Sequence, residues 1–216
     1  MKKIKLILPV LALTILGMSA SAQTTFGIRA GVNFSNLNGK DANDDNLENR
    51  ITTGFHAGVN AEIPVAEDFY LQPGLLFSLK GAKTDKDALI DGTYRLGYIE
   101  LPVNFLYKPV LGTGRLLLGV GPYFAYGVTG KFKNNDGDDV DIKFEDAPDN
   151  PLNYDGLYSK PFDAGANVLF GYEFANRLSA QLNAQLGLVN TNAYGGDAKV
   201  KNTVFGISLG YRFGGK

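Results

Sequence analysis

Arg29, Glu62, Glu100, Glu173 and Arg212 each sit in a segment where an apolar residue alternates with a small or polar one. On a strand every second side chain shares a face, so each of these charges falls on the wet side of its own segment. Carboxylates and guanidinium groups turned toward one enclosed space neutralise one another, because an unpaired buried charge is costly. The expectation is therefore a charge-paired polar network. Arg29, Glu62, Gln72, Glu173, Gln181 and Arg212 are placed toward one end of that space, with Glu100 and Asn104 near mid-height. Pairing of the first segment with the last sets Arg29 close to Arg212, and two like charges there require the carboxylates. His56 is the only histidine and faces the same way. A catalytic histidine needs a nucleophile and an orienting acid within hydrogen-bond reach. Ser78 and Asp163 are conceivable partners, but no spacing singles them out, so no catalytic residue is assigned.

Two acidic stretches could bind a hard cation: Asp41-Ala42-Asn43-Asp44-Asp45, and Asn134 to Asp141 followed by Glu145, Asp146 and Asp149. Clustered carboxylates can hold Ca²⁺. Neither has the glycine at position six and the glutamate at position twelve of a calcium-binding loop. Both read as solvated mobile loops, and no metal or cofactor site is assigned.

Eight segments position these residues. They are Thr24–Ser35, Ile51–Val65, Phe69–Gly81, Tyr94–Lys108, Leu116–Thr129, Phe162–Phe174, Leu178–Leu188 and Thr203–Phe213. Each is long enough, at ~9–11 residues, to cross a hydrocarbon layer as a tilted strand. The connections alternate. Ala66–Asp68, Pro109–Gly114 and Ala175–Arg177 are short, whereas Asn36–Arg50, Lys83–Thr93, Lys131–Lys160 and Asn190–Asn202 are long and polar. The fold expected is all-β: an eight-stranded antiparallel transmembrane β-barrel with short periplasmic turns and long extracellular loops. Pro73, Pro102 and Pro122 lie inside strands, where proline cannot donate a ladder hydrogen bond. Bulges or register shifts are expected near them.

The chain ends bear on location. Lys2, Lys3 and Lys5 precede a short apolar stretch from Leu6 to Leu16, and Ala20-Ser21-Ala22 has the small residues of a cleavage site. Residues 1–22 read as a secretory signal peptide and 23–216 as one barrel domain. Cysteine is absent, which excludes disulfides and thiolate chemistry. Removal of residues 1–22 takes the formal charge from −1 to −4, a poor balance for binding nucleic acid. After the signal no apolar run is long enough for a spanning helix.

Alternation alone does not say which face meets lipid. A soluble lipocalin-like barrel would turn the apolar face inward. Here the polar face is rich in glycine, asparagine and serine, which suit a narrow lumen. Aromatics also gather at both strand ends: Phe69, Tyr107, Tyr172, Phe174, Tyr211 and Phe213 at the short-turn end, and Phe34, Phe55, Phe77, Tyr126 and Phe162 at the other. Membrane barrels carry such girdles at both interfaces.

The segment Gly27-Ile28-Arg29-Ala30-Gly31-Val32-Asn33-Phe34-Ser35 resembles the opening strand of the PorT-like, porin-family outer-membrane β-barrels of Gram-negative bacteria. Tyr98-Ile99-Glu100-Leu101-Pro102-Val103, Gly119-Val120-Gly121-Pro122-Tyr123, Asp163-Ala164-Gly165 with Gly171-Tyr172-Glu173, and Leu209-Gly210-Tyr211-Arg212-Phe213 continue the resemblance in order. It departs from the usual terminal aromatic, because Gly214-Gly215-Lys216 follow Phe213. The resemblance implies the cell outer membrane, with outer-membrane lipid and the barrel-assembly machinery as partners. The function expected is non-enzymatic: a structural or surface-interaction role with a side-chain-plugged lumen, in which the long loops contact an extracellular or envelope protein. The alternatives are a narrow porin-like channel for small solutes and, through the family's namesake, an accessory role in protein secretion.

Overall fold

The computed structural model describes residues 24–41, 44–85, 91–135 and 137–214. The expected signal peptide, parts of both acidic stretches and the last two residues lie outside the described residues. The strands are β1 (Thr25–Lys40), β2 (Thr52–Ala66), β3 (Phe69–Lys83), β4 (Gly92–Tyr107), β5 (Val110–Leu111), β6 (Gly114–Asn134), β7 (Val140–Phe144), β8 (Leu157–Ser159), β9 (Phe162–Glu173), β10 (Leu178–Gly187) and β11 (Lys199–Phe213). Eight of them form a ring in the order β4-β3-β2-β1-β11-β10-β9-β6, closed by antiparallel pairing of β4 with β6. β5 folds back on the start of β6 within a short turn, and β7 and β8 belong to the loop between β6 and β9.

The wall is turned as the sequence pattern suggested. Phe170, Leu182 and Leu209 on the outer surface are 53%, 52% and 70% exposed, whereas Asn167 and Gln181 in the lumen are 2% and 5% exposed. Outward apolar residues run from Phe26 to Phe34 on β1, from Phe55 to Val65 on β2 and from Phe205 to Phe213 on β11. These spans match the ~9–11 tilted residues that cross a bilayer. Aromatic pairs brace the short-turn edge, with Phe69 against Tyr107 at 4.7 Å and Tyr211 against Phe213 at 5.2 Å between ring centroids.

The expected register shifts at the prolines are not found. Register runs unbroken through Pro73, Pro102 and Pro122. Rungs are missing around them instead, as between Pro73↔Val103 and Leu76↔Glu100 on β3 and β4. The absent donor costs local pairing without inserting a residue. Gly74 makes room for this, since a Cβ there would come within 3.2 Å of the Pro102 ring. The shifts occur elsewhere, at Pro64/Ala66 beside the β2–β3 turn and at Gly97/Tyr98 on β4. In the second, Tyr98 pairs with Gly127 and Gly97 with Thr129, leaving Val128 as an extra residue on β6. A bulge of this kind reverses which residues face inward. Tyr123 and Ala125 are therefore buried below it and Phe132 above it.

The strands extend beyond the apolar band at the loop end, and there the barrel inverts. Asn36, Asn38, Lys131, Lys133 and Lys199 face outward, whereas Leu37, Ala82, Leu96, Phe132 and Ile142 are buried within. The loop between β6 and β9, expected to be solvated and mobile, is instead folded into a cap. β7 pairs with β6, β8 pairs in parallel with β7, and Ile142, Phe144 and Leu157 pack into the mouth. Its inward apolar residues, spaced among the carboxylates, anchor it.

Replacing Leu182 with arginine puts a charge on the lipid face. Folding into phospholipid vesicles should lose about 2–4 kcal/mol if Leu182 lies near the midplane. Denaturant titration of the vesicle-bound barrel measures this, with an exposed cap position such as Leu152→Arg expected to change little.

Candidate functional site

The lumen is filled by stacked polar layers. Nearest the short turns, strands β2, β4, β9 and β11 bring together Glu62, Lys108, Glu173 and Arg212, Lys108 lying just past the end of β4. Lys108 Nζ lies 2.8 Å from Glu62 Oε2 and 3.1 Å from Glu173 Oε2. Arg212 Nε donates to Glu173 Oε2 at 2.7 Å, and its Nη2 meets Glu62. Two cations and two anions thus alternate around one knot. Gln72 Nε2 donates to Glu62 Oε1 at 3.0 Å, Asn104 Nδ2 to Gln72 Oε1 at 3.2 Å and Asn167 Nδ2 to Asn104 Oδ1 at 2.7 Å. This chain of amides links the knot to the middle of the barrel.

The middle layer holds the remaining two residues singled out from the sequence, but apart from the knot. Arg29 is two residues beyond the position opposite Arg212, since Gly27 pairs with Arg212 and Arg29 with Gly210. Among the described residues it makes no ion pair. Its Nη1 donates to Gln181 Oε1 at 3.5 Å, and its Nε has no hydrogen-bond partner. Glu100 accepts from Gln185 Nε2 at 3.0 Å and pairs with a residue outside the expected network, Lys80, at 2.5 Å.

Lys80 marks the upper layer and is fully buried, 3.7 Å from Asp163 Oδ2. Its Nζ also stands 4.5 Å from the centre of the Tyr123 ring, a cation–π contact strengthened by burial. Tyr123 Oη and Asn202 Nδ2 both donate to Asp163 Oδ2, at 3.1 and 3.0 Å. Sequence reasoning left out the two lysines that do most of the pairing. The signal was present: Lys80 shares the inward parity of Gln72 and Ser78, and Lys108 that of Glu100 and Asn104.

His56 lies between these layers, with Nδ1 2.7 Å from Asn33 Oδ1 and Nε2 2.8 Å from Ser208 Oγ. The conceivable partners behave otherwise. Ser78 Oγ accepts from Asn33 Nδ2 at 3.0 Å, and Asp163 belongs to the lysine layer. Serine, histidine and asparagine in this order have the geometry of a nucleophile, base and orienting group. Ser208 is only 1% exposed, however, and Gly31 backs onto the imidazole so closely that a Cβ would lie 2.7 Å from Cε1. No substrate carbonyl reaches Oγ in this packing. The trio ties β1, β2 and β11 together.

The cap carries its own charges. Lys131 and Lys133 lie 3.8 and 3.7 Å from Asp141 and Asp139. Asp155 receives hydrogen bonds from Lys143 and from the Tyr158 hydroxyl, which hold its carboxyl below the usual carboxylate range. Among the described residues no group of three histidine, aspartate or glutamate side chains is arranged to hold a metal ion.

A closed eight-stranded ring, apolar outside and charge-paired within, agrees with the family match. The family model described as "Outer membrane protein beta-barrel domain" matches residues 20–192. The chain belongs to this outer membrane β-barrel family. No curated protein matches it. Among solved structures it is similar to Ail, the attachment invasion locus protein of Yersinia pestis, at 15% identity over 88% of this chain and 99% of that one, with a TM-score of 0.43. It is also similar to Neisserial surface protein A at 12% identity, over 87% and 97% of the two chains, with a TM-score of 0.48. The outer membrane protein OprG from Pseudomonas aeruginosa gives 12% identity over 90% and 98%, with a TM-score of 0.49.

Two outcomes are expected of the charges. Glu62→Gln leaves Lys108 and Arg212 to share Glu173 and should cost stability in urea unfolding from vesicles, by less than the ~3–5 kcal/mol of a fully uncompensated buried charge. Lys108→Met combined with Glu62→Leu should cost less than the two single changes added, the mark of direct coupling. In the cap, the depressed Asp155 carboxyl keeps its tether as pH falls through the ordinary carboxylate range and loses it only below. Asp155→Asn should therefore speed amide exchange of β7 and β8 at neutral pH, and the difference from the parent should vanish in stronger acid.

Proposed function

We propose that this protein is a non-enzymatic resident of the cell outer membrane, anchored by its apolar belt, with a closed lumen and with its capped loops as the working surface. The observation that carries the reading is the run of layers across the lumen. The knot at Glu62 and Lys108, the amide chain through Asn104, and the lysine layer between Glu100 and Asp163 leave every lumen charge but Arg29 paired with an opposite one. An eight-stranded barrel has an interior just wide enough for side chains. Loops on a rigid scaffold are where binding surfaces are built, and the cap is the largest of them here. An extracellular or envelope protein is the partner class we favour.

Several finer points belong to the same reading. Residues 1–22 act as the export signal and are removed. Outer-membrane lipid and the barrel-assembly machinery are the partners that insertion requires. The placement among PorT-like barrels rests on Gly27–Ser35 and on the order of the later segments.

Single-channel recording in planar bilayers tests closure. The parent protein should give no steady current, and a double Lys80→Ala, Glu100→Ala variant should raise only brief, small openings. A steady, large open current from the parent would replace the plugged barrel with a solute channel.

A further inference from the structure

Above the lysine layer the inverted end of the barrel holds a half-open cavity of about 400 Å³ beside the cap. Its walls come from β1, β4, β7, β8 and β11 and from the loops before β2 and after β10; they include Leu37, Leu96, Ile142, Leu157, Tyr194 and Val200. Among the described residues no lining residue is charged. Most polar side chains on the wall are already engaged with the chain itself, the Tyr94 hydroxyl being the exception among the described residues. Asn49 Nδ2 donates to Leu37 O at 2.9 Å, Thr191 Oγ1 to Val200 O at 3.2 Å and Asn192 Nδ2 to Gly195 O at 2.9 Å. The hydroxyl of Tyr158 is spent on Asp155, and that of Tyr194 accepts from the Tyr158 amide. Along β4, Leu96 and the buried Tyr98 come between this space and Glu100 of the charged layer.

We propose that this cavity binds a neutral, compact apolar molecule of about bicyclic or tricyclic size, taken up from the loop side. A charged ligand would find no counter-charge and would pay its desolvation in full. A sugar or polyol would leave most of its hydroxyls unmatched, because nearly all of the wall's own polar groups already have partners. A preformed apolar cavity of this size holds a small organic ligand and buries most of its surface. The inference adds a ligand to the surface role and stands whether or not the lumen conducts ions.

The test uses the full barrel in lipid nanodiscs with ¹³C-labelled leucine, isoleucine and valine methyls, titrated with naphthalene. Methyl signals of Leu37, Leu96, Leu157 and Val200 are expected to shift and saturate together, while those of Leu182 and Leu209 on the lipid face drift in proportion to naphthalene in the bilayer. The anionic analogue 2-naphthalenesulfonate should leave the four cavity residues unmoved. Val200→Phe, and independently Leu157→Trp, fill the space and should weaken the saturable response at least tenfold while the methyl spectrum of the lumen stays as in the parent. Drift without saturation at all positions would overturn the proposal. So would equal saturation by the sulfonate, or a saturable response that survives both filling variants.

Discussion

A peptide group in hydrocarbon has no water to bond, so each N–H and C=O in the wall must find another strand, and the seam between β4 and β6 is what makes that possible. Without that pairing, both strands would present open edges to lipid, at several kcal/mol for each unsatisfied group. With it, the sheet has no edge, and every side chain is committed to one of two environments. Strand alternation then decides the rest. The outer half must resemble lipid, and the inner half must satisfy itself. Prolines in the wall are tolerated because each gap beside them spans only two rungs while register on both sides holds the strands in place. Pro73, Pro102 and Pro122 open gaps in the ladder but do not slide one strand past another.

Closure also determines the lumen chemistry. A ring of eight strands has an interior just wide enough for side chains, so inward charges gain most by meeting their opposites, as all but Arg29 do here. Glu62 and Glu173 each touch both Lys108 and Arg212, so loss of one contact does not leave any of them alone. Lys80 is served differently, by one close carboxylate, a second at longer range and the faces of two tyrosines. A lysine has three donors on a compact head and can sit among several acceptors, whereas the planar guanidinium of Arg212 spans two carboxylates at the edge of the knot. His56 is absorbed in the same way, as a bridge between Asn33 and Ser208. Its neighbours are groups that can accept or donate without carrying charge.

Much of this could be read from residue order because strand periodicity is strict. Leu178 to Leu188 has an unbroken alternation, and its faces fall where that alternation puts them. Arg212 meeting Glu62 and Glu173 follows from pairing the first strand with the last. Three features were less legible. Lys80 and Lys108 lie near strand ends, where a lysine reads most simply as interfacial, although their parity points inward. Arg29 was grouped with Arg212 because adjacent strands bring them near, but a strand step of ~3.3 Å per residue separates the layers they serve. The folded cap had no regular period at all. Its order depends on Ile142, Phe144 and Leu157 reaching an apolar mouth that only the assembled barrel provides.

That mouth follows from strands continuing past the bilayer. Once outside lipid, the outward face must become polar, which Asn36, Asn38 and Lys199 accomplish by plain substitution along β1 and β11. On β6 the change needs a bulge. Without the extra Val128, Phe132 would face water and Lys131 the interior; with it, Lys131 and Lys133 turn outward and Phe132 packs against Tyr94. Apolar residues displaced from the outer face collect inside, so the upper barrel acquires the core of a soluble one. The same inversion shields the layer below. Leu96 and Tyr98 come between the loop end and Lys80, Glu100 and Asp163, all fully buried, which keeps the local dielectric low and the attraction among them strong. The apolar cup and the charged plug are therefore mechanically joined: loosening the aromatic floor admits water to the ion pairs, and losing the ion pairs removes the support on which the floor rests.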